Sequence, residues 1–340
     1  MTVADLTERE LVARIQRRLP PAPAWLLVGI GDDAAVVEPE RNRVEVLTVD
    51  AIVEGIHFDR AFVPPEAIGH RALAVNLSDL AAMGAAPRLA LLSMALPSTL
   101  SLDDFDAIAG GIAALAAHHR VHVAGGNLTR SPGPLVIDVT VTGTVKRRQA
   151  LTRSGARAGD ELYVSGTIGA AAAGLARLRE VASHTSQGAS HARLETSDLR
   201  LETAYLQPEP RIRLGLLLAR NRAASACIDL SDGLADGAHR IAEASGLGMV
   251  IDAGALPIDP AARAWFEARG DDPVRSALAG GDDYELFFSV RPRTGRRLKE
   301  VERHGGVALT RIGRCTDEGG VLLQCGTDTS AVPQGYTHFR

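Results

Sequence analysis

Apolar residues recur along this chain in two rhythms, and their alternation outlines its elements. Residues 7–19 carry apolar positions near helical spacing between an acidic start and a basic end, and Pro20, Pro21 and Pro23 stop the predicted helix. Short apolar runs at 26–30 and 34–38 predict strands flanking Gly31-Asp32-Asp33. The β-branched run 44–49 predicts a strand that ends at Asp50. Ile68, Ala72, Val75, Leu77 and Leu80 fit a helix over 65–83, and 87–96 reads as a strand. A second helix is predicted over 102–119, capped by Ser101 with Asp103 and Asp104 in its first turn. Residues 121–124 read as a short buried strand entering a Gly125-Gly126-Asn127 loop, and 135–145 alternates as a strand.

The composition shifts near 147–159, where Arg147, Arg148, Arg153 and Arg157 stand among small residues. This predicts a boundary between domains 1–148 and 149–340. Beyond it, 159–166 reads as turn and strand and 170–179 as a helix. Residues 181–199 are polar and aperiodic, an expected helix–loop excursion. Helices at 211–219 and 233–245 and strands at 226–230, 249–252, 285–290 and 307–312 follow. Strands and helices alternate in both halves, so the expected class is α/β (or α+β), with no fixed-period repeat.

Composition narrows the picture further. At 340 residues the chain can bury two sizeable cores, and 46% hydrophobic with 23% charged residues describes an ordinary soluble protein. A net charge of −4 gives no footprint for nucleic acid or an anionic membrane. The apolar runs at 89–96 and 108–117 are too short or too interrupted to span a bilayer, and residues 1–5 lack the start of a signal peptide. Cys227, Cys315 and Cys325 form neither a CxxC pair nor an even disulfide framework. The expectation is a reduced, cytoplasmic protein that binds neither nucleic acid nor membrane.

The chemistry concentrates in carboxylates. Asp79 stands in the apolar and small-residue run Asn76-Leu77-Ser78-Asp79-Leu80-Ala81-Ala82-Met83-Gly84-Ala85, and a buried carboxylate needs a partner or a metal. Gly31-Asp32-Asp33, Val49-Asp50, Asp229-Leu230-Ser231-Asp232-Gly233 and Gly280-Gly281-Asp282-Asp283 share its setting, each beside glycine or at the end of an apolar run. No P-loop, GxSxG elbow or HExxH helix is present. Hard oxygen donors point to Mg²⁺, and scattered carboxylates suit phosphoryl transfer, because each Mg²⁺ takes one or two and fills its shell with phosphate and water. The backbone of Gly125-Gly126-Asn127, or a helix start after Ser165-Gly166, can cradle phosphate, and Arg153 can clamp it. Plainer alternatives stand beside each of these. Asp next to Gly is ordinary turn chemistry, and Asp232-Gly233 can cap the following helix. In isolation Arg153 reads as a solvated arginine, His57 as a half-buried histidine and Tyr336 as a packing residue.

In order along the chain, Gly29-Ile30-Gly31-Asp32-Asp33-Ala34-Ala35, residues 76–84, Leu151-Thr152-Arg153-Ser154-Gly155-Ala156, residues 228–234 and 280–286 resemble thiamine-monophosphate kinase. That family belongs to the aminoimidazole ribonucleotide synthetase and selenophosphate synthetase superfamily. The resemblance extends from about residue 27 to Gly335-Tyr336-Thr337-His338-Phe339. It implies a two-domain fold like aminoimidazole ribonucleotide synthetase and a homodimer whose N-terminal halves form a β-barrel-like interface. The N-terminal domain would bind ATP and Mg²⁺. The implied reaction moves a phosphoryl group from ATP onto the phosphate of thiamine monophosphate, without a covalent enzyme intermediate. By the same resemblance Asp33, Thr48, Val49, Asp50, Asp79, Asn127, Asp229 and Asp232 would hold metal, with Asp50, Asp79 and Asp232 closest to catalysis. Gly126, Asn127, Arg153 and Ser231 would contact ATP, and His57, Asp282 and Tyr336 the thiamine substrate.

Three departures from the family pattern stand out. Asn127 replaces an aspartate, keeping an oxygen donor and losing a charge. In Thr48-Val49-Asp50-Ala51 a backbone carbonyl at Val49 remains where the family also offers a hydroxyl. Asp282 is one methylene shorter than the usual glutamate. A ligase or synthetase of the same superfamily and a nucleotide-binding paralogue with reduced catalysis are the alternative readings.

Overall fold

The computed structural model describes residues 1–186 and 196–332, and the chain forms two compact units. The first comprises Met1–Leu80 and Ala86–Arg147. Its elements are α1 (Glu8–Gln16), β1 (Leu26–Val28), β2 (Val36–Val37), β3 (Arg43–Val53), α2 (Pro65–Ala82), β4 (Ala86–Pro97), α3 (Leu102–His119), β5 (His122–Ser131) and β6 (Val136–Lys146). α1 starts on a capping box in which Thr7 and Glu10 each satisfy the other's backbone N–H. β1 and β2 pair in a small antiparallel ribbon.

The other four strands form an open sheet in the order β3-β6-β4-β5. β6 runs antiparallel to both β3 and β4, and β4 runs parallel to β5. A parallel pair needs a crossover, and α3 supplies it. α2 is rich in apolar and small residues and is largely buried: Ile68, Ala72, Leu73, Leu77 and Leu80 are fully covered, as are the polar Asn76 and Ser78. The opposite face of the sheet is open, leaving Leu47, Val49 and Leu91 exposed.

α2 and α3 touch backbone to backbone. A Cβ on Gly69 would stand 2.0 Å from the Ile108 carbonyl oxygen, and one on Gly111 would stand 2.1 Å from that of Glu66. Only glycine permits this approach.

The second unit comprises Ala81–Ala85 and the chain from Arg148 onward. Its elements are β7 (Glu161–Ser165), α4 (Ala170–Ser186), α5 (Thr196–Leu206), α6 (Ile212–Asn221), β8 (Ala226–Asp229), α7 (Leu234–Ser245), β9 (Gly248–Asp252), α8 (Pro260–Glu267), α9 (Pro273–Ala279), β10 (Leu286–Val290), α10 (Gly295–Gly305), β11 (Leu309–Thr316), β12 (Gly320–Cys325) and β13 (Asp328–Ala331). Seven strands form one sheet in the order β13-β12-β9-β11-β7-β10-β8, antiparallel except for β12 beside β9. Its core gathers Leu162, Val164, Ile228, Ile251, Phe287 and Ile312 from the strands with Leu234, Ala238 and Ile241 from α7.

Three local expectations change. Gly125-Gly126-Asn127 is the middle of β5 and not a loop, because its backbone pairs with Leu91, Leu92 and Ser93 across a bulge. Asp232 does not cap α7: Gly233 takes that position with a φ of 92° and no side-chain bond. Within 181–199, the first six residues extend α4 and Thr196 begins α5, and 187–195 lie outside the described residues. No helix among the described residues is long and apolar enough to cross a membrane.

The glycine contact gives a sharp test. Gly111→Ala should lower the stability of the first unit by about 1–3 kcal/mol through overpacking. Its neighbour Gly110, with open space where a Cβ would go, should gain roughly 0.5–1 kcal/mol as alanine. Urea titration of the two variants measures the difference, and equal midpoints would refute the close-contact reading.

Candidate active site

In the first unit two of the predicted oxygen donors, Thr48 and Asp79, meet where β3 faces α2. The Thr48 hydroxyl donates to the Asp79 carboxylate. One turn earlier on α2, the Asn76 side chain accepts the Asp50 backbone N–H at 3.0 Å and donates to the Asp50 carbonyl at 3.4 Å and the Ala72 carbonyl at 3.2 Å. This clasp fixes the strand carrying Thr48 and Asp50 against the helix carrying Asp79. Asp79 is half-buried, whereas Asp50 and Asp33 are exposed. Asp33 lies in the turn between β1 and β2, where its N–H donates to Asp32 at 2.8 Å. Asp33, Asp50 and Asp79 do not bring three carboxylate oxygens within 4.8 Å of one another.

Thr48 and Asp50 stand opposite the buried Val141 and Val139, on the covered side of the sheet. Val49 points its side chain to the open side. Asn127 pairs with the exposed Ser93 and therefore also faces the open side, away from Asp79. Gly126 precedes it with a φ of 156°, and a Cβ there would stand 1.9 Å from the Leu92 carbonyl oxygen. His57 caps the bend after β3, where its Nδ1 accepts the Val53 N–H at 3.0 Å, which favours a neutral ring with its proton on Nε2.

The second unit brings two loops together. β8 and β10 pair with Asp229 opposite Leu286, which sets residues 229–233 beside 280–285. The loops touch through glycine: Cβ atoms on Gly281 and Gly233 would stand 2.4 Å and 2.6 Å from the carbonyl oxygens of Ser231 and Gly280. The Asp282 N–H donates to the Ser231 carbonyl at 2.7 Å, and the Tyr284 N–H to the Leu230 carbonyl at 3.1 Å. Asp229 is buried at the strand end, whereas Asp232 is half-buried and 3.7 Å from the Arg240 guanidinium. Arg153 is exposed, and its carbonyl accepts the Ser245 hydroxyl at 3.2 Å. Tyr336 lies outside the described residues.

Behind these loops are groups that the sequence reading passed over. Asp283 accepts the N–H groups of Gly169 at 2.8 Å and Ala171 at 3.4 Å, so the helix start expected to hold phosphate already holds this chain's own carboxyl. Burial pushes Asp283 up to about 8, against the lowering pull of those two N–H groups. Glu285 is buried, bonded to the Ser165 hydroxyl and held by the forked Arg211 guanidinium at 2.8 Å and 2.5 Å. Burial also raises Glu285, and Arg211 opposes the rise. The usable signal was the run of three acids in 282–285 with Tyr284 among them, since so dense a run cannot all face solvent within a strand-entering turn.

Hard oxygen donors on a strand and a facing helix in one unit, and paired glycine–aspartate loops in the other, mark a phosphate-handling protein of the AIR synthase-related class. The model for the AIR synthase related protein, N-terminal domain, matches residues 31–145, and that for the C-terminal domain matches residues 157–326. Within that class the chain belongs to the thiamine-monophosphate kinase family. It is 36% identical to the thiamine-monophosphate kinase of Escherichia coli, covering 98% of each chain. Among solved structures, the thiamine-monophosphate kinase of Stenotrophomonas maltophilia matches with a TM-score of 0.80 and 40% identity, covering 94% of this chain and 97% of that one. AaThiL complexed with AMPPCP and TMP matches with a TM-score of 0.76 and 31% identity, covering 100% and 99%.

Asp283 gives a pH signature. The folded chain keeps its proton to about pH 8, whereas the unfolded chain releases it near pH 4, so the folded state binds more protons between those values. This contribution to stability is present at low pH and lost as pH rises through the window. Asp283→Asn should flatten the fall in Tm between about pH 5 and pH 8. Differential scanning calorimetry across that range checks it, and parallel curves would refute the assignment.

Proposed function

We infer that this chain catalyses the ATP-dependent phosphorylation of thiamine monophosphate to thiamine diphosphate, the reaction of the family to which it belongs. ATP is the co-substrate. The observation that carries the reading is the Thr48–Asp79 contact with its Asn76 clasp, which holds hard oxygen donors at a strand–helix junction. Metal-bridged phosphates need such rigid donors, because phosphoryl transfer relies on positioning and charge neutralisation.

The donor set fits Mg²⁺: every candidate atom is a carboxylate, hydroxyl, amide or carbonyl oxygen, with no thiol or imidazole among them. We propose Asp33, Thr48, the Val49 carbonyl, Asp50, Asp79, Asp229 and Asp232 as its holders, with Asn127, on the open face of the sheet, offering a neutral oxygen to an ion apart from the one at Asp79. Held there, Mg²⁺ would supply charge neutralisation for the ATP phosphate oxygens and for the transfer. Asp50, Asp79 and Asp232 would lie nearest the transfer, acting through the cation they hold. Gly126, Asn127, Arg153 and Ser231 contact the nucleotide, and His57, Asp282 and Tyr336 contact thiamine phosphate.

The proposed division of labour makes residues 1–148 the domain of ATP and Mg²⁺ binding and of dimerisation, and 149–340 an α/β domain whose loops add Arg153, Asp229, Ser231 and Asp232. The partner is a second copy of the chain, paired through the N-terminal halves in a barrel-like interface. Exposed Leu47, Val49 and Leu91 on the open sheet face support that pairing. A reducing cytoplasm suits the three unpaired thiols of Cys227, Cys315 and Cys325.

A coupled assay with thiamine monophosphate, ATP and Mg²⁺ tests the reaction directly, and absence of thiamine diphosphate above background would sink it. Asp79→Asn should reduce kcat at least about 100-fold, a loss of roughly 2.7 kcal/mol in transition-state stabilisation, while circular dichroism stays native. A near-normal rate would remove Asp79 from the centre of the site.

Asn127→Asp restores an anionic ligand and should lower the Mg²⁺ concentration for half-maximal rate. Unchanged metal dependence would take Asn127 out of the metal set.

A further inference from the structure

Asp282 and Tyr284 both adopt left-handed backbone conformations, with φ of 66° and 49°. A non-glycine residue resists that region by about 1 kcal/mol or more, and tolerates it where the surroundings dictate it. Here the surroundings are explicit. The N–H groups of Asp282 and Tyr284 are both taken by the 229–233 loop, through Ser231 and Leu230. The Tyr284 hydroxyl donates to the Asp282 carboxylate at 3.0 Å, which sets that side chain's orientation. Glu285 is pinned by Ser165 and Arg211, so the strand end of the run cannot shift.

Between the two left-handed residues, Asp283 turns the other way. Its carboxyl accepts Gly169 N–H at 2.8 Å and Ala171 N–H at 3.4 Å, at the entrance of α4. Gly169 is itself left-handed, with a φ of 87°, and a Cβ on it would stand 3.1 Å from the Ala277 Cβ. The site at α4 is therefore tight and shaped around one carboxyl. Without that anchor, the backbone bonds to Ser231 and Leu230 would still hold the loop near α7, but nothing described would hold residue 283 inward.

We propose that Asp283 is a positioning residue for the phosphoryl acceptor: clamped in the first turn of α4, it forces the left-handed turn that presents Asp282 to thiamine phosphate. This rests on the reading above that Asp282 contacts the acceptor. Asp283 touches no substrate and acts through its neighbour. Asparagine at 283 keeps the shape but presents one NH₂ where two acceptors are needed, so the clamp is half lost. Tyr284 belongs to the same device, since its hydroxyl aims the Asp282 carboxylate.

Steady-state kinetics of Asp283→Asn, Asp282→Ala and the double variant test the proposal, with near-UV circular dichroism confirming that each is folded. Asp283→Asn should raise KM for thiamine monophosphate about tenfold or more, leaving KM for ATP within about twofold. In the Asp282→Ala background, Asp283→Asn should add almost nothing, because the two act as one unit. Additive effects, or an equal rise in both KM values, would overturn the proposal by making Asp283 a general structural group. Should Asp283→Asn fail to fold, Tyr284→Phe provides the second route. It removes only the hydroxyl that aims Asp282, and an unchanged KM for thiamine monophosphate would also overturn the proposal. Wild-type protein with no activity on thiamine monophosphate is a separate outcome, striking the proposed reaction and not the Asp283 clamp. Amide exchange tests the clamp by itself, since Asp283→Asn should speed exchange at Gly169 and Ala171 whatever the substrate. Unchanged protection at both amides would overturn the clamp.

Discussion

The first unit depends on one buried amide. Asn76 is fully covered on α2, and its side chain bonds the Asp50 peptide in both directions. A buried carboxamide without partners would cost a few kcal/mol, so its presence commits helix and strand to a single register. That register brings Asp79 to the Thr48 hydroxyl. The Asp79 carboxyl is thus met by a hydroxyl in a fixed place, and the junction is held by this chain's own bonds.

The second unit solves a related problem differently. Its acids are crowded into 282–285, and the fold sorts them by direction. Asp283 goes to the start of α4, Glu285 goes to Arg211 and Ser165, and Asp282 stays at the surface of the paired loops. Each inward acid is matched by donors of suitable number, two backbone N–H groups in one case and a guanidinium fork with a hydroxyl in the other. The glycines at 233 and 281 let the two loops approach closely enough for this sorting.

Much of the scaffold was legible in the sequence because it rests on local signals. The Ser101 cap and apolar spacing marked α3 to the residue, and strong alternation marked β6 within one residue at each end. Local signals misled where the decisive partner lies far along the chain. Gly125-Gly126-Asn127 reads as a loop by composition, yet β4 draws it into a ladder. The start of α4 reads as a phosphate cradle, but Asp283, over a hundred residues away, fills it. Helices α8 and α9 were passed over although Asp259-Pro260 and Asp272-Pro273 carry the cap-and-proline signature of a helix start. Among the candidate site residues, Thr48 and Asp79 come together as oxygen donors, whereas Asn127 falls on the other face of its sheet. No spacing rule could have foretold that, because a bulge in β5 intervenes.

The backbone contacts that Gly69 and Gly111 permit between α2 and α3 have a mechanical meaning for Asp79. Two helices locked at their backbones cannot roll past each other, so the angular play of α2 is set at Gly69. Asp79 lies ten residues further along, about 15 Å by the helical rise. A carboxylate oxygen stands roughly 6 Å from the helix axis, so each 10° of roll would carry it about 1 Å, enough to break its contact with the Thr48 hydroxyl. The hinge-free contact at one end of the helix therefore acts as a stop that calibrates the oxygen at the other.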